Sequence, residues 1–243
     1  FERFLAIEDM PSDREIVRNH MSDKEHVNQL IAHYEALRAE SDAPVYLYSV
    51  TMQNHSPWDE PFDNFTPDVK VTDERLLANE DVNLFQIEQY LSLVKLSDAS
   101  LGILIDYFSQ VEEDTVIVFF GDHQPKLGGA YYSTLFGKKT SEFTQEENMQ
   151  KYEVPYVIWT NYDIEEKTDV KTSPCYLSNM LMDAAKLPKS RIQMYLDELK
   201  NDIVQLNPMG YYDAQGKRHA ISESAKLDEY YDLQYALLKG ENL

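Results

Sequence analysis

Cysteine is almost absent from this chain. Cys175 stands alone in 243 residues, which excludes an internal disulfide and a thiolate metal cluster and leaves it the role of a small core residue. Long apolar runs are missing too: no stretch of eighteen or more apolar residues occurs, so the sequence contains no membrane-spanning segment. The opening residues Phe-Glu-Arg-Phe-Leu lack the basic and apolar regions of a signal peptide, and no methionine stands at position 1, so a chain that begins in mid-protein is expected. Positive charge is scarce. With 22 Lys and Arg against 43 Asp and Glu, the formal net charge is -21, and nucleic acid or a bare anionic membrane would repel such a surface. A local cationic site, such as a bound metal, remains compatible with it. There is no internal repeat, no low-complexity segment and no glycine-rich nucleotide fingerprint.

What is present is a folded composition, 43% apolar, in a length that suits one large domain with a possible appendage. Ser22 and Glu25 have the spacing of a capping box, and Val27, Leu30, Ile31, Tyr34 and Leu37 follow on one stripe, which predicts a helix over Asp23–Glu40. Pro44 introduces the β-branched and aromatic run 45–50, a predicted strand. A polar loop follows to about Asn79, long enough to suggest function. Leu84, Ile87, Leu91, Val94, Leu101, Ile105 and Phe108 then predict a long helix, and residues 115–120 a second strand. A β-loop-α-β unit of this kind should pair its two strands in parallel, with His55 and Asp122 emerging from one edge. Beyond a second long loop, further elements are predicted: a strand around residues 156–159, a helix beginning at Ser173-Pro174, two short strand pieces within 210–217 and a peripheral helix over 227–238. The tail tyrosines are expected to pack on the main domain.

The segment Thr115-Val-Ile-Val-Phe-Phe-Gly-Asp-His123 carries the most chemistry. Asp122 and His123 leave the carboxyl end of a buried strand, where open α/β sheets place their sites, and a carboxylate beside an imidazole suits a divalent ion. The plainer alternative has Asp122 capping a helix and His123 as a surface histidine. Two ligands fall short of the three usual in a catalytic site, so others must come from elsewhere. His20, His26, His33 and His219 lie in helical or tail segments without ligand spacing, which argues against a binuclear metallophosphatase of unrelated fold.

Taken together, Ser49-Val50-Thr51-Met52-Gln53-Asn54-His55, the helix ending near Phe108 and the strand running into Gly121-Asp122-His123, with Pro125 and Gly128 after it, resemble the lipoteichoic acid synthase family, from residue 1 to about 188. These are sulfatase-like enzymes of the alkaline phosphatase superfamily. The resemblance implies an α/β fold with a mostly parallel sheet flanked by helices, residues 1–200 forming the C-terminal part of the catalytic domain and 201–243 a small appendage of hairpin and helix. It implies a phosphoglycerol transferase of lipoteichoic acid-like polymer synthesis, on the extracellular face of a bacterial membrane, anchored by N-terminal helices that lie outside this chain. A phosphatidylglycerol-like lipid donor, a glycerol phosphate polymer acceptor and a divalent metal, manganese first with magnesium or zinc as alternatives, are implied with it. Asp122 and His123 match the family's metal-binding pair, and His55 its substrate-binding histidine. The family's nucleophilic threonine and a metal-binding glutamate have no counterpart here, so the fragment by itself is expected to be inactive. Thr51, at a strand end near His55, sits in the wrong motif to replace that threonine.

Without the resemblance, His55 reads first as a residue of the turn before Pro57. Two other functions compete with transfer: hydrolysis of sulfate or phosphate esters by the same superfamily chemistry, and a non-catalytic cell-envelope binding module. The acidic surface weighs against direct binding of an anionic polymer.

Overall fold

The computed structural model describes residues 3–240. The chain folds as two compact units, one made of the chain up to Gln110 together with Pro125–Thr140, the other of Val111–Gln124 and the chain from Ser141 onward. That division differs from a cut at residue 200, because the strand leading to Asp122 pairs with a later strand and so joins the C-terminal unit.

The first unit opens with a hairpin, β1 (Ile16–Val17) and β2 (His20–Met21), followed by α1 (Asp23–Glu40). Ser22 caps α1 by accepting the Glu25 N–H at 3.0 Å, whereas Glu25 turns to Gln29, so the capping box is half made. Residues 45–50 form no strand. Tyr46, Tyr48 and Val50 are exposed, and the parallel pairing expected between 45–50 and the strand at 116 is absent among the described residues. The physical reason is that strand-forming residues yield a strand only where another backbone completes the ladder, and here none does.

After α2 (Glu74–Leu77) comes the 25-residue α3 (Leu84–Phe108), at the bounds its apolar spacing predicts. α3 packs on α1, and its inner face carries hooks for the long loop. Ser92 Oγ accepts the Asp68 and Val69 N–H groups, both at 3.0 Å, and Gln89 Nε2 donates to the carbonyls of Trp58 and Glu60. The returning segment adds α4 (Gly129–Phe136), which packs on α2 and ends at Gly137 in the left-handed region, φ 67°. Trp58, Leu76, Val82, Ile87, Leu93 and Leu127 form this unit's core.

In the second unit β3 (Val116–Phe120) pairs antiparallel with β4 (Tyr156–Thr160), Val118 opposite Ile158, with α5 (Gln145–Gln150) between them in sequence. The α/β class holds; every strand pair among the described residues is antiparallel, and residues 45–50, the parallel partner expected for this strand, form no strand. One helix, α6 (Pro174–Ala184), covers the pair, and Phe119, Phe120 and Val157 remain exposed. α7 (Arg191–Lys200), the meander β5 (Gln205–Asn207), β6 (Gly210–Tyr212) and β7 (Arg218–His219), and α8 (Ala225–Leu238) complete the unit. Tyr176, Leu196, Leu199, Ile203, Tyr211, Leu227 and Tyr230 share one core, so the tail does pack on the preceding helices. Cys175 lies against that core, and burial pushes its thiol up to about 11, which keeps it protonated. No helix among the described residues is long and apolar enough to cross a membrane.

Candidate functional site

β3 runs into Gly121, whose N–H donates to the Pro155 carbonyl at 3.1 Å and so extends the ladder by one rung. Val154 Cβ would lie 3.3 Å from any Cβ at position 121, so a side chain there would press on Val154. Asp122 and His123 follow directly and project into solvent, their side chains 82% and 69% exposed. The His123 N–H donates to Asp122 Oδ1 at 2.8 Å, and the imidazole Nδ1 donates to the Gln124 carbonyl at 3.0 Å. In the neutral ring that second bond places the proton on Nδ1 and leaves a lone pair on Nε2. Nε2 stands 3.5 Å from Asp122 Oδ2. Two donor atoms each ~2.1 Å from one ion at a tetrahedral angle lie ~3.4 Å apart, so the pair is spaced to share a cation. Among the described residues no group of three or more metal-ligating side chains occurs.

His55 belongs to the other compact unit, where its loop is held from several sides. The buried Gln53 accepts the Asp23 N–H at 3.0 Å and donates to the Leu93 carbonyl at 3.4 Å. Asn54 donates to Ser97 Oγ at 2.8 Å, and that hydroxyl donates to Asp23 Oδ2. On the far side the Trp58 indole donates to the Asn54 carbonyl at 3.0 Å, across a cis Ser56–Pro57 bond. Arg18 Nη2 donates to the carbonyls of both His55 and Pro57. The His55 Nδ1 donates to the Ser56 carbonyl at 2.9 Å, which again leaves Nε2 as the open nitrogen.

Sequence reasoning placed Asp122, His123 and His55; the structure sets the first two side by side and puts His55 in the other unit. It missed Arg18 and His20. The sequence suggests a helical or tail segment for His20, whereas it sits on β2 with its ring centroid 6.1 Å from that of His55. The signal was the Val-Arg-Asn-His order, a two-residue turn between short strands, obscured because such turns ordinarily hold glycine. His219 is a packing residue: it stacks on Tyr211 at 5.0 Å and bonds Asp213 at 2.7 Å, holding that carboxyl below its usual range. Thr51 lies in an exposed, irregular segment.

Residues 1–187 match the sequence model of the family described as Sulfatase. The chain belongs to the sulfatase family. A curated relative, the putative cyclic beta-1,2-glucan modification protein of Rhizobium meliloti (strain 1021), is 29% identical over 191 residues, 76% of this chain and 28% of its own. Among solved structures, the Streptococcus pyogenes phosphoglycerol transferase GacH in complex with sn-glycerol-1-phosphate is similar, with a TM-score of 0.53 at 20% identity over 82% of this chain and 47% of that one. That likeness shows a sulfatase-like α/β fold. The chain thus spans under a third of the curated relative and about half of the solved one.

Proposed function

We propose that this sulfatase-family chain is the C-terminal part of a metal-dependent phosphoglycerol transferase, in which Asp122 and His123 hold the ion and His55 holds the phosphate of the substrate. The observation that carries this reading is the 3.5 Å spacing of His123 Nε2 and Asp122 Oδ2 at the end of β3, two lone-pair donors that repel one another unless a proton or a cation stands between them. A divalent ion, when bound, lowers the pKa of a coordinated hydroxyl and neutralises charge on phosphoryl oxygens. Asp122 contributes the charge and His123 a nitrogen of fixed direction. In its protonated form His55 presents an Nε2–H from a loop with little freedom, which suits it to orient a phosphate oxygen or to donate a proton to a departing glycerol oxygen.

The glycerol phosphate class is supported by the ligand in the GacH structure, and the curated relative is named for modification of a cyclic beta-1,2-glucan; a glycerol phosphate polymer as acceptor follows from the family resemblance. A phosphatidylglycerol-like donor, manganese and an extracellular, membrane-anchored setting follow from the family resemblance and complete the proposal. Hydrolysis of a sulfate or phosphate ester is the second reading, favoured by the family itself. In either case the family's nucleophilic threonine and metal-binding glutamate, which the resemblance implies, have no counterpart among these 243 residues.

The test is calorimetric titration of manganese into the chain, beside Asp122→Asn and His123→Gln. Weak binding in the parent and none in either variant is the expected result; a tight ion indifferent to both changes would overturn the assignment. On a chromogenic phosphodiester with manganese the isolated chain is expected to be inactive.

A further inference from the structure

Arg18 is the most unusual residue of the first unit. It is only 4% exposed, its φ is 57°, and it occupies the first of two turn positions in the β1–β2 hairpin, where Val17 pairs with His20. A two-residue hairpin turn with positive φ at its first central residue is ordinarily built with glycine. An arginine there is strained, and the fold uses it. Nη2 grips the His55 and Pro57 carbonyls, the guanidinium lies 5.1 Å from the centre of the Phe62 ring, and Asn64 fastens the turn by donating to the Ile16 and Arg18 carbonyls, both at 3.1 Å. Nε and Nη1 are nevertheless buried without an acceptor. A guanidinium with two unspent donors and no carboxylate is costly to bury unless an anion completes it.

The same hairpin delivers His20. Its ring meets that of His55 edge to face, 6.1 Å between centroids and 67° between planes. Burial comes first, and repulsion from Arg18 and His55 second, in holding His20 below the ordinary histidine range; no carboxylate acts on it. One guanidinium and two imidazoles therefore gather in a chain whose formal net charge is -21. An oxyanion would relieve their mutual repulsion and let both rings donate hydrogen bonds to it.

We propose that Arg18, His20 and His55 form one binding site for a tetrahedral oxyanion, with His20 as a second imidazole ligand and Arg18 as the residue that positions the His55 loop and supplies fixed positive charge. The proposal rests on the reading above, in which His55 meets the phosphate of the substrate, and adds two residues to it. The ligand chemistry is that of a phosphate ester, or a sulfate ester on the hydrolase reading.

The experiment is NMR of the histidine ring carbons in the 243-residue chain, titrated with inorganic phosphate, with sulfate and with chloride at constant ionic strength in a chelating buffer. The His20 and His55 signals should follow one saturation curve with phosphate while His33 stays still, and sulfate on that same curve would support a tetrahedral oxyanion site. His20→Gln should weaken phosphate binding, read at His55, by ~10-fold, the loss of one charge-assisted bond. Arg18→Gly suits the turn and should fold, yet weaken binding at least as much, with Arg18→Lys falling between it and the parent. Rings indifferent to phosphate, equal shifts with chloride, or an unchanged affinity in His20→Gln would each overturn the proposal. Because the titration needs neither metal nor turnover, its failure is distinct from failure of metal binding at Asp122 and His123.

Discussion

The loop that carries His55 and the turn that carries Asp122 and His123 are built in opposite ways. Around His55 the backbone is tied to Arg18, Asp23, Leu93 and Ser97, with Trp58 and Gln53 buried on either side. Asp122 and His123 stand in solvent and lean on each other and on Gln124. The difference suits the roles proposed for the two groups. A residue that orients a substrate oxygen gains from being fixed before the substrate arrives, since a misplacement of ~1 Å can cost ~100-fold in rate. Metal ligands are fixed by the ion itself once it binds, so their own turn can remain lightly held.

The largest effect that would sharpen this comparison is on activity. In an active preparation, Asp122→Ala and His123→Ala should each lower metal affinity and turnover by ~100-fold. Neither should shift chain stability by more than ~0.5 kcal/mol, because exposed side chains take little packing with them. Metal content and urea denaturation of the same preparations check both halves. A large loss of stability would show that the turn is structural after all.

The converse substitution lies in the other loop. Trp58 is buried in the core of its unit and donates to the Asn54 carbonyl, so Trp58→Ala should cost ~3–5 kcal/mol, the usual range for an aromatic removed from a core. Metal binding at Asp122 and His123 should persist wherever the variant remains folded. Denaturant midpoints together with a manganese titration read the two quantities separately. Loss of metal binding in a folded variant would mean that the two loops are not independently built.

Much of this was legible in the sequence where the decisive interactions are local. α1 and α3 start and stop where their caps and apolar spacing say, because a helix closes its own hydrogen bonds. Residues 45–50 misled because a strand borrows its partner from elsewhere, and six residues of high β-propensity carry no record of whether that partner is supplied. The polar stretch after His123 concealed α4, whose glycines at 128 and 137, both at positive φ, bracket the helix but read as loop. α7 was overlooked although Ser190 and Gln193 form a complete capping box. At the site, Asp122 and His123 stood out as neighbours after an apolar strand. Arg18 and His20 could not be tied to His55, because the link runs through a hairpin and two main-chain carbonyls 37 and 39 positions away.

The smallest expected effect tests what holds the His55 loop from the helix side. Asp23 accepts from Ser97 through Oδ2, and burial outweighs that bond, the attraction of His26 and the hydrogen bonds of Thr51 and Gln53 in raising its carboxyl above the usual range. In the unfolded chain the group ionises near its ordinary pKa, ~3.9; in the folded chain ionisation waits for a higher pH. The folded state therefore binds more protons between those two values, and stability falls as pH rises through that window. Asp23→Asn removes the titration, so the variant's stability should be flatter across it, with its advantage over the parent growing from pH 4 toward neutrality. Denaturant midpoints measured at intervals of half a pH unit give the comparison directly. A parent that gains stability over this window relative to Asp23→Asn would reverse the sign, and would mean that the Ser97 bond and the nearby His26 hold Asp23 ionised. In that case an ionic clamp, in place of a neutral one, anchors Gln53 and Asn54 beneath His55.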